Sequence, residues 1–366
     1  MITIRLAADG RRLMTDSRQP IAAWVHIGPV YRKQRLLGYD SGVDAFTHSL
    51  VGIALWRARL VPREAGFWGA MTLVAAANAP DAEGLFRLGG SAAYIRQYHG
   101  ATHSLPGAAA LGLAVAMLAA IGLQRARLPF RFPRLAALGL IGAASHLFLD
   151  FCQGYGERLL WPLSGARYGM SLMASLDVAN LAVLLLGLSV PLLLNAVNDE
   201  IHARRIDPRM GALLALAAVI ALVPVRYMLR TRADYGAAAA LVQEEQSYSI
   251  HPSPFVPWRW YMVQDTEISY LAGEVDAIGQ RALPGVWRFR KPLPNNVLLA
   301  VRDTEAGRAF LDLAVYPLFT LEPGSKGMLV RIRDMQFFIP GAGPRPYSLE
   351  VEINSELKVL RESVEF

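Results

Sequence analysis

The chain has one cysteine, Cys152. This excludes an intrachain disulfide and any zinc site built on cysteine pairs. The first 40 residues carry Arg11, Arg12, Arg18, Arg32, Lys33 and Arg35 but no apolar stretch long enough for a secretory signal. They read as a basic tail over 1–43, and "GVDAFTHSLVG" reads as the start of the fold. Charge is scarce over most of the next 190 residues, where six apolar segments follow one another at roughly 44–60, 66–79, 104–123, 135–151, 171–197 and 210–229. The third and fifth are long enough to span a bilayer alone; the first, second and fourth, at about 15–17 residues, are short and are expected to be tilted, partly buried or only partly inserted. From 231 onward polar and apolar residues alternate. The expected architecture is therefore an α-helical membrane bundle of about six apolar helices over 44–230, followed by a mostly-β soluble domain over 231–366.

The charge that is present is unevenly placed. Residues 231–366 hold 14 Lys+Arg against 17 Asp+Glu, so the first 230 carry about +10 of the net +7. Ten of the 23 Lys+Arg in that part are arginines in three connections, "WRARLVPRE" (56–64), "QRARLPFRFPR" (124–134) and "NDEIHARRIDPR" (198–209). Between apolar segments such clusters are topology signals and not a nucleic-acid surface, and they place these three loops in the cytoplasm. The connections 80–103 and 152–170 and the C-terminal domain then lie on the opposite side. The basic tail argues for the reverse orientation, but the three internal loops agree with one another. In the C-terminal part "WRWYMVQD", "GVWRFRK", "FLDLAVYPL", "MLVRIRDMQFF" and "YSLEVEIN" alternate as strands do, "HPSPFVPW" (251–258) reads as a Pro-rich linker before them, and no catalytic constellation is visible.

That topology brings the ionisable residues at the segment ends to one membrane face. Asp44 and His48 open the first segment, Asp81 and Glu83 follow the second, His99 and His103 precede the third, His146 and Asp150 close the fourth, and Asp177 lies near the start of the fifth. Four of the seven histidines converge there, two of them in copies of THSL. Asp44/His48 and His146/Asp150 are spaced i,i+4, which puts each pair on one helical face. Histidine with carboxylate on one face suits a divalent metal, Zn²⁺ first and Mn²⁺ second. Ionisable groups in a membrane cost about 2.5–3.5 kcal/mol each on the insertion scale, so they are usually retained for function. A single His-x3-Asp pair also serves as a cap or a core hydrogen bond; the convergence of several favours the metal. His26, His202 and His251 are isolated and receive no role, and Cys152 reads as a packing residue.

"DAFTHSLVG" (44–52), "NAPDAEG" (78–84), "YHGATHSL" (98–105), "SHLFLDFCQGYGERLLWP" (145–162) and "YGMSLMASLDVANL" (168–181) together resemble the YdjM-like membrane-bound metal-dependent hydrolases. The resemblance runs over roughly 44–185. It departs from the family pattern at Glu83, where the family has Asp, and at "HGATHS", which is one residue shorter than the family's HRG-x-THS. Either His99 or Tyr98 then holds the place of the first motif histidine. The family in turn is similar to zinc-dependent phospholipases C, which implies His48, Asp81, His103, His146 and Asp150 as ligands, with His99 as a further candidate. On this reading Asp81 also bridges or acts as a base, while Glu83, Asp44 and Asp177 are further base or supporting candidates. The resemblance implies an integral protein of a bacterial-type inner membrane. Its metal-activated water would cleave an ester or phosphoester of a lipid or other amphiphile on the non-cytoplasmic side. A non-catalytic membrane protein with a structural metal and a partner-binding β-domain is the alternative. A transporter fits less well, because the charged groups sit at segment ends. Nucleic acid is not an expected partner, and the oligomeric state is open.

Overall fold

A computed structural model of the chain describes residues 42–240, 247–339 and 348–365. The tail expected over 1–43 falls outside them except for its last two residues, and so does His26. The apolar part forms α1 (Gly42–Arg57), α2 (Phe67–Ala76), the short α3 (Ser91–Gln97), α4 (Leu105–Arg125), α5 (Phe132–Phe151), α6 (Val178–Glu200) and α7 (Pro208–Ala238). Each of the six apolar segments thus contains a helix. Among the described residues, only α4 to α7 are long and apolar enough to cross a membrane. At 1.5 Å per residue the 16 residues of α1 and 10 of α2 reach about 24 and 15 Å, short of a bilayer core of about 30 Å. α1 is instead an interior element: Leu50, Val51 and Ala54 bury against Leu149 of α5, Leu184 and Leu188 of α6, and Ala212, Ala215 and Val219 of α7.

Two boundaries differ from the hydropathy pattern. Residues 171–177 are a loop, and α6 starts only where the Asp177 carboxylate accepts the N–H groups of Ala179 and Asn180. α7 runs on to Ala238, because Ala233 and Ala237 of its last turns are buried against Ile250, Trp260, Met262 and Val275 of the first sheet. Small residues set the spacing inside the bundle. A Cβ on Gly112 of α4 would lie 2.5 Å from the carbonyl oxygen of Gly139 on α5, so these two helices meet backbone to backbone.

The helices alternate in direction, and their connections sort to two ends. At one end Arg57 donates to the Leu188 carbonyl, Arg209 to that of Ala58, and the Arg131 backbone N–H to Glu64, so the three arginine-rich loops lie together. The other end gathers the starts of α1, α4 and α6 and the ends of α2 and α5.

The C-terminal part is two four-stranded antiparallel sheets, each a simple meander. The first contains β1 (Tyr248–Pro252), β2 (Arg259–Asp265), β3 (Ser269–Asp276) and β4 (Arg281–Arg290). The second contains β5 (Pro317–Pro323), β6 (Met328–Asp334), β7 (Ser348–Ile353) and β8 (Val359–Glu365), with α8 (Asn296–Arg302) and α9 (Glu305–Leu313) between the sheets in sequence. The strand expected over "FLDLAVYPL" is corrected here: its first four residues are the end of α9. Thr304 caps that helix through the Gly307 N–H, and Ala306, Ala309 and Phe310 recur at helical spacing on its buried face. The expected linker at 251–258 begins later as well, because His251 and Pro252 are paired in β1 with Tyr261 and Trp260. The second sheet buries Val330, Ile332, Leu349, Val351 and Ile353 against Leu298, Val301 and Phe310, and Ile95 of α3 joins that core. The β-part is thereby fixed to the 80–103 connection of the helical part.

Candidate metal centre

Three elements supply the four candidate donors. Asp81 stands on a 3-10 segment (Pro80–Gly89) directly after α2, His103 ends a second 3-10 turn (Ala101–His103) just before α4, and His146 and Asp150 lie one turn apart near the end of α5. The Ser104 hydroxyl starts α4 by accepting the Gly107 N–H, which fixes where His103 leaves the turn.

The ring nitrogens have defined roles. His146 Nδ1 lies 2.8 Å from the carbonyl oxygen of Ala77, which can only accept, so Nδ1 carries the hydrogen and Nε2 the lone pair. His103 Nδ1 lies 3.0 Å from Glu83 Oε2, which assigns its tautomer in the same way. The two Nε2 atoms then face one another at 3.1 Å. Asp150 Oδ2 is 3.2 Å from Nε2 of His146 and 3.3 Å from that of His103. Asp81 Oδ1 is 3.5 and 3.7 Å from the same two atoms. Four acceptors converge with no donor among them. Four ligands at 2.0–2.2 Å from a common ion stand about 3.3–3.6 Å apart in a tetrahedron, so this N₂O₂ set fits one divalent cation. His103, His146 and Asp150 are buried; Asp81, with 38% of its side chain exposed, is the donor that faces outward.

Around these four, other side chains hold them in place. Glu83 accepts the His99 backbone N–H at 3.0 Å through Oε1 and the Thr102 hydroxyl at 2.8 Å through Oε2. Burial works to raise its pKa, but His103 and these hydrogen bonds outweigh burial and lower it. Burial likewise opposes a charge on His103, yet Glu83, Asp150 and Asp81 reverse this and raise its pKa well above the ordinary value. The surroundings thus call for positive charge at this point. His48 Nε2 lies 3.2 Å from Asp150 Oδ1, the oxygen turned away from the four-donor set, and its ring stacks on His146 at 3.9 Å. Gln153 donates to the same oxygen. His48 is thus placed to orient Asp150, one bond outside the four donors.

His99 adopts φ 45°, a left-handed conformation that costs a non-glycine residue about 1–2 kcal/mol. The Glu83 carboxylate on its N–H and the Arg158 N–H on its carbonyl hold it there. Its ring is buried between Tyr98 and His103, with Nε2 4.0 Å from Asp150 Oδ2. Burial first, then the nearby His103, pushes its pKa down to about 4, so the ring is neutral. Glu83, His99 and His103 also lie within reach of one ion, but the Glu83 oxygens and His103 Nδ1 are already engaged with each other.

One sequence candidate is placed differently. Asp177 caps α6 with one oxygen and meets Arg226 Nη2 at 2.6 Å with the other, so the position of a free base is taken by a structural ion pair. Asp44 lies in the first turn of α1, and its side chain is outside the described residues. One residue escaped the sequence reading: Glu157, fully buried, has no hydrogen-bond partner for either carboxylate oxygen among the described residues. Burial first, then Asp150, pushes its pKa up to about 9. Its position in a string of turn residues concealed it; a carboxylate seven residues past His-x3-Asp was the available signal. Cys152 packs with Leu172 and Met173, as expected of a small core residue.

The β-part closes over this end of the bundle. Phe337, just after β6, packs its ring 4.2 Å from that of Tyr155, which in turn meets Tyr98 edge-on. His251 is fixed by a hydrogen bond to the Phe338 carbonyl.

Comparison with known proteins agrees with this picture. The uncharacterized protein YfhP of Bacillus subtilis (strain 168) is 29% identical over 141 residues, a match spanning 37% of this chain and 42% of that protein. No solved structure matches. The model of the YdjM inner membrane protein family matches residues 43–233, which include every one of the metal-site candidates, α4 to α6 and most of α7. With more than half of its length so matched, the chain belongs to the YdjM inner membrane protein family.

Proposed function

We propose that this protein is a membrane-embedded metal-dependent hydrolase that cleaves an ester or phosphoester of a lipid or other amphiphile. The observation that carries this reading is the convergence of four acceptors: Nε2 of His103 and Nε2 of His146 lie 3.1 Å apart and 3.2–3.7 Å from Asp81 Oδ1 and Asp150 Oδ2. A dication bound there, Zn²⁺ or Mn²⁺, supplies Lewis acidity and a water whose pKa falls to about 7. The chain's own residues do the rest. Glu83 and the Ala77 carbonyl hold the two imidazoles as Nε2 donors. His48 and Gln153 hold Asp150. Asp81, the exposed donor, is the group placed to take a proton from an incoming water.

Exposed apolar side chains flank the centre. Leu85, Phe86 and Leu88 follow Asp81 on its 3-10 segment, and Leu160, Trp161 and Leu163 lie on the 152–170 connection. Such residues, tryptophan above all, suit the headgroup region of a bilayer and favour an amphiphilic substrate. In purified protein in nanodiscs, p-nitrophenyl esters and phosphoesters should be hydrolysed, with activity lost to a chelator and restored by Zn²⁺ or Mn²⁺. Asp81→Asn should lower turnover about 10²–10⁴-fold. A second reading, a structural metal site without catalysis, rests on the donor count, because four protein atoms already complete a tetrahedron. Metal-loaded protein that hydrolyses neither class above the buffer rate would decide for it.

The arginine-rich loops favour an orientation with the metal centre and the β-part on the non-cytoplasmic side. Reporter fusions after Arg127 and Arg205 should then report cytoplasm, and one near Gly343 the opposite compartment. A cytoplasmic report at Gly343 would reverse the orientation.

A further inference from the structure

Beside the metal centre, Glu157 and Tyr168 form an isolated antiparallel bridge and exchange both backbone hydrogen bonds at 2.9 Å. In that register Arg158 and Arg167, the residues next to the bridge, stand across from one another. Both are partly buried. Arg167 is anchored through Nη2 to the Tyr98 carbonyl at 2.7 Å and through Nη1 to that of Gly156 at 3.2 Å. Arg158 is tied to the same segment by its backbone N–H, which donates to the His99 carbonyl. The ring of that same His99 reaches to within 4.0 Å of Asp150.

Like charges directly opposite in a β-pair repel. Here no salt bridge to a carboxylate relieves either guanidinium among the described residues, and the Arg158 Nε lies buried with no acceptor. Burial and then the charge of Arg158 push the pKa of Arg167 down to about 10. Elsewhere in the chain arginines in comparable settings are paired: Arg226 with Asp177, Arg259 with Glu274, Arg331 with Glu350. The ligand that reconciles two adjacent planar forks is an anion with several acceptor oxygens, and phosphate has that geometry. A neutral carboxylic ester offers neither the charge nor the oxygens.

We infer that Arg158 and Arg167 are an anion clamp on the rim of the metal centre that holds the phosphate group of the substrate, which makes the substrate a phosphoester. The inference rests on the hydrolase reading for its mechanistic meaning, but its test does not require turnover.

Binding of inorganic phosphate and of dihexanoyl phosphatidate to full-length metal-loaded protein in nanodiscs should be measured by calorimetry, with metal content determined in every sample. Arg158→Gln removes a side chain that makes no hydrogen bond among the described residues, so it should leave the fold and metal content unchanged. It should weaken both probes about 10–100-fold, the worth of a charge-assisted hydrogen bond. Arg158→Lys should recover part of that loss, because an ammonium keeps the charge and loses the fork. Arg167→Lys, which retains a donor for the Tyr98 carbonyl, should weaken binding in the same direction. Because phosphate also bonds to metal, the comparison is made at equal metal content. Tighter binding of the phosphatidate assigns the clamp to a lipid headgroup, and tighter binding of inorganic phosphate to a soluble phosphate; either supports the clamp. Unchanged affinity in Arg158→Gln, or no binding of either probe by the wild type, overturns it. An inactive protein whose phosphate affinity falls in Arg158→Gln would retain the clamp and lose the hydrolase. Metal-dependent ester hydrolysis with phosphate affinity insensitive to Arg158 would do the reverse.

Discussion

His146→Ala is expected to strip the centre of its metal, lowering the metal-to-protein ratio of the purified protein at least about tenfold. His146 is fully buried, and its Nε2 is the atom closest to the other donors, 3.1 Å from His103 and 3.2 Å from Asp150. Alanine at that position removes one of the four donors. Changing an orienting group is milder: Glu83→Gln, which weakens the hold on His103 Nδ1, should cost about 10–100-fold in metal affinity and leave the site able to fill at excess metal. Measuring metal by mass spectrometry across a titration separates the two. Full metal occupancy in His146→Ala would show that the histidine serves packing and its bond to Ala77.

Arg226→Met is expected to cost about 3–5 kcal/mol of stability, the usual effect of removing one partner from a buried ion pair. Arg226 is 1% exposed and bonds Asp177 at 2.6 Å and the Pro257 carbonyl at 3.0 Å. It therefore joins the start of α6, the middle of α7 and the β1–β2 loop. The substitution leaves the Asp177 carboxylate buried with only its cap hydrogen bonds. The loss should be seen in thermal unfolding in detergent, while the protein that remains folded keeps its metal. An unchanged melting temperature would mean that the pair contributes nothing, and a loss of metal without a loss of stability would return Asp177 to the site.

These two residues also show what could be read from the chain. His146 and Asp150 were legible because helical periodicity fixes an i,i+4 pair to one face, and the arginine-rich loops then sorted every segment end to one side or the other. The four spanning helices were legible because a bilayer demands uninterrupted apolar runs, and α1 and α2 because their packing against those helices also calls for apolar residues. Asp177 stood at the correct end and near the correct helix, yet its partner is 49 residues away on α7, and sequence carries no signal for that pairing. Asp81 and Glu83 are two residues apart in one motif. Only the 3-10 turn that carries them decides that the first faces the metal position and the second faces His103 Nδ1. Glu157 was hidden because its neighbours read as a turn, whereas a single bridge to Tyr168 buries it. In the β-part, "FLDLAVYPL" alternates as a strand does, but the Thr304 cap just upstream commits its first residues to α9. α3 was missed because its seven residues gain their place from Ile95 in a core that belongs to the other half of the chain.

The central claim is a single metal centre assembled from Asp81, His103, His146 and Asp150. X-ray absorption at the metal edge of the purified protein tests it most directly. The expected spectrum has a first shell of nitrogen and oxygen only, at about 2.0–2.2 Å, with the outer-shell scattering of two imidazoles, and it loses that imidazole signal in His103→Ala and His146→Ala. A sulfur scatterer at about 2.3 Å, a shell without imidazole, or a spectrum unchanged by either substitution would contradict it.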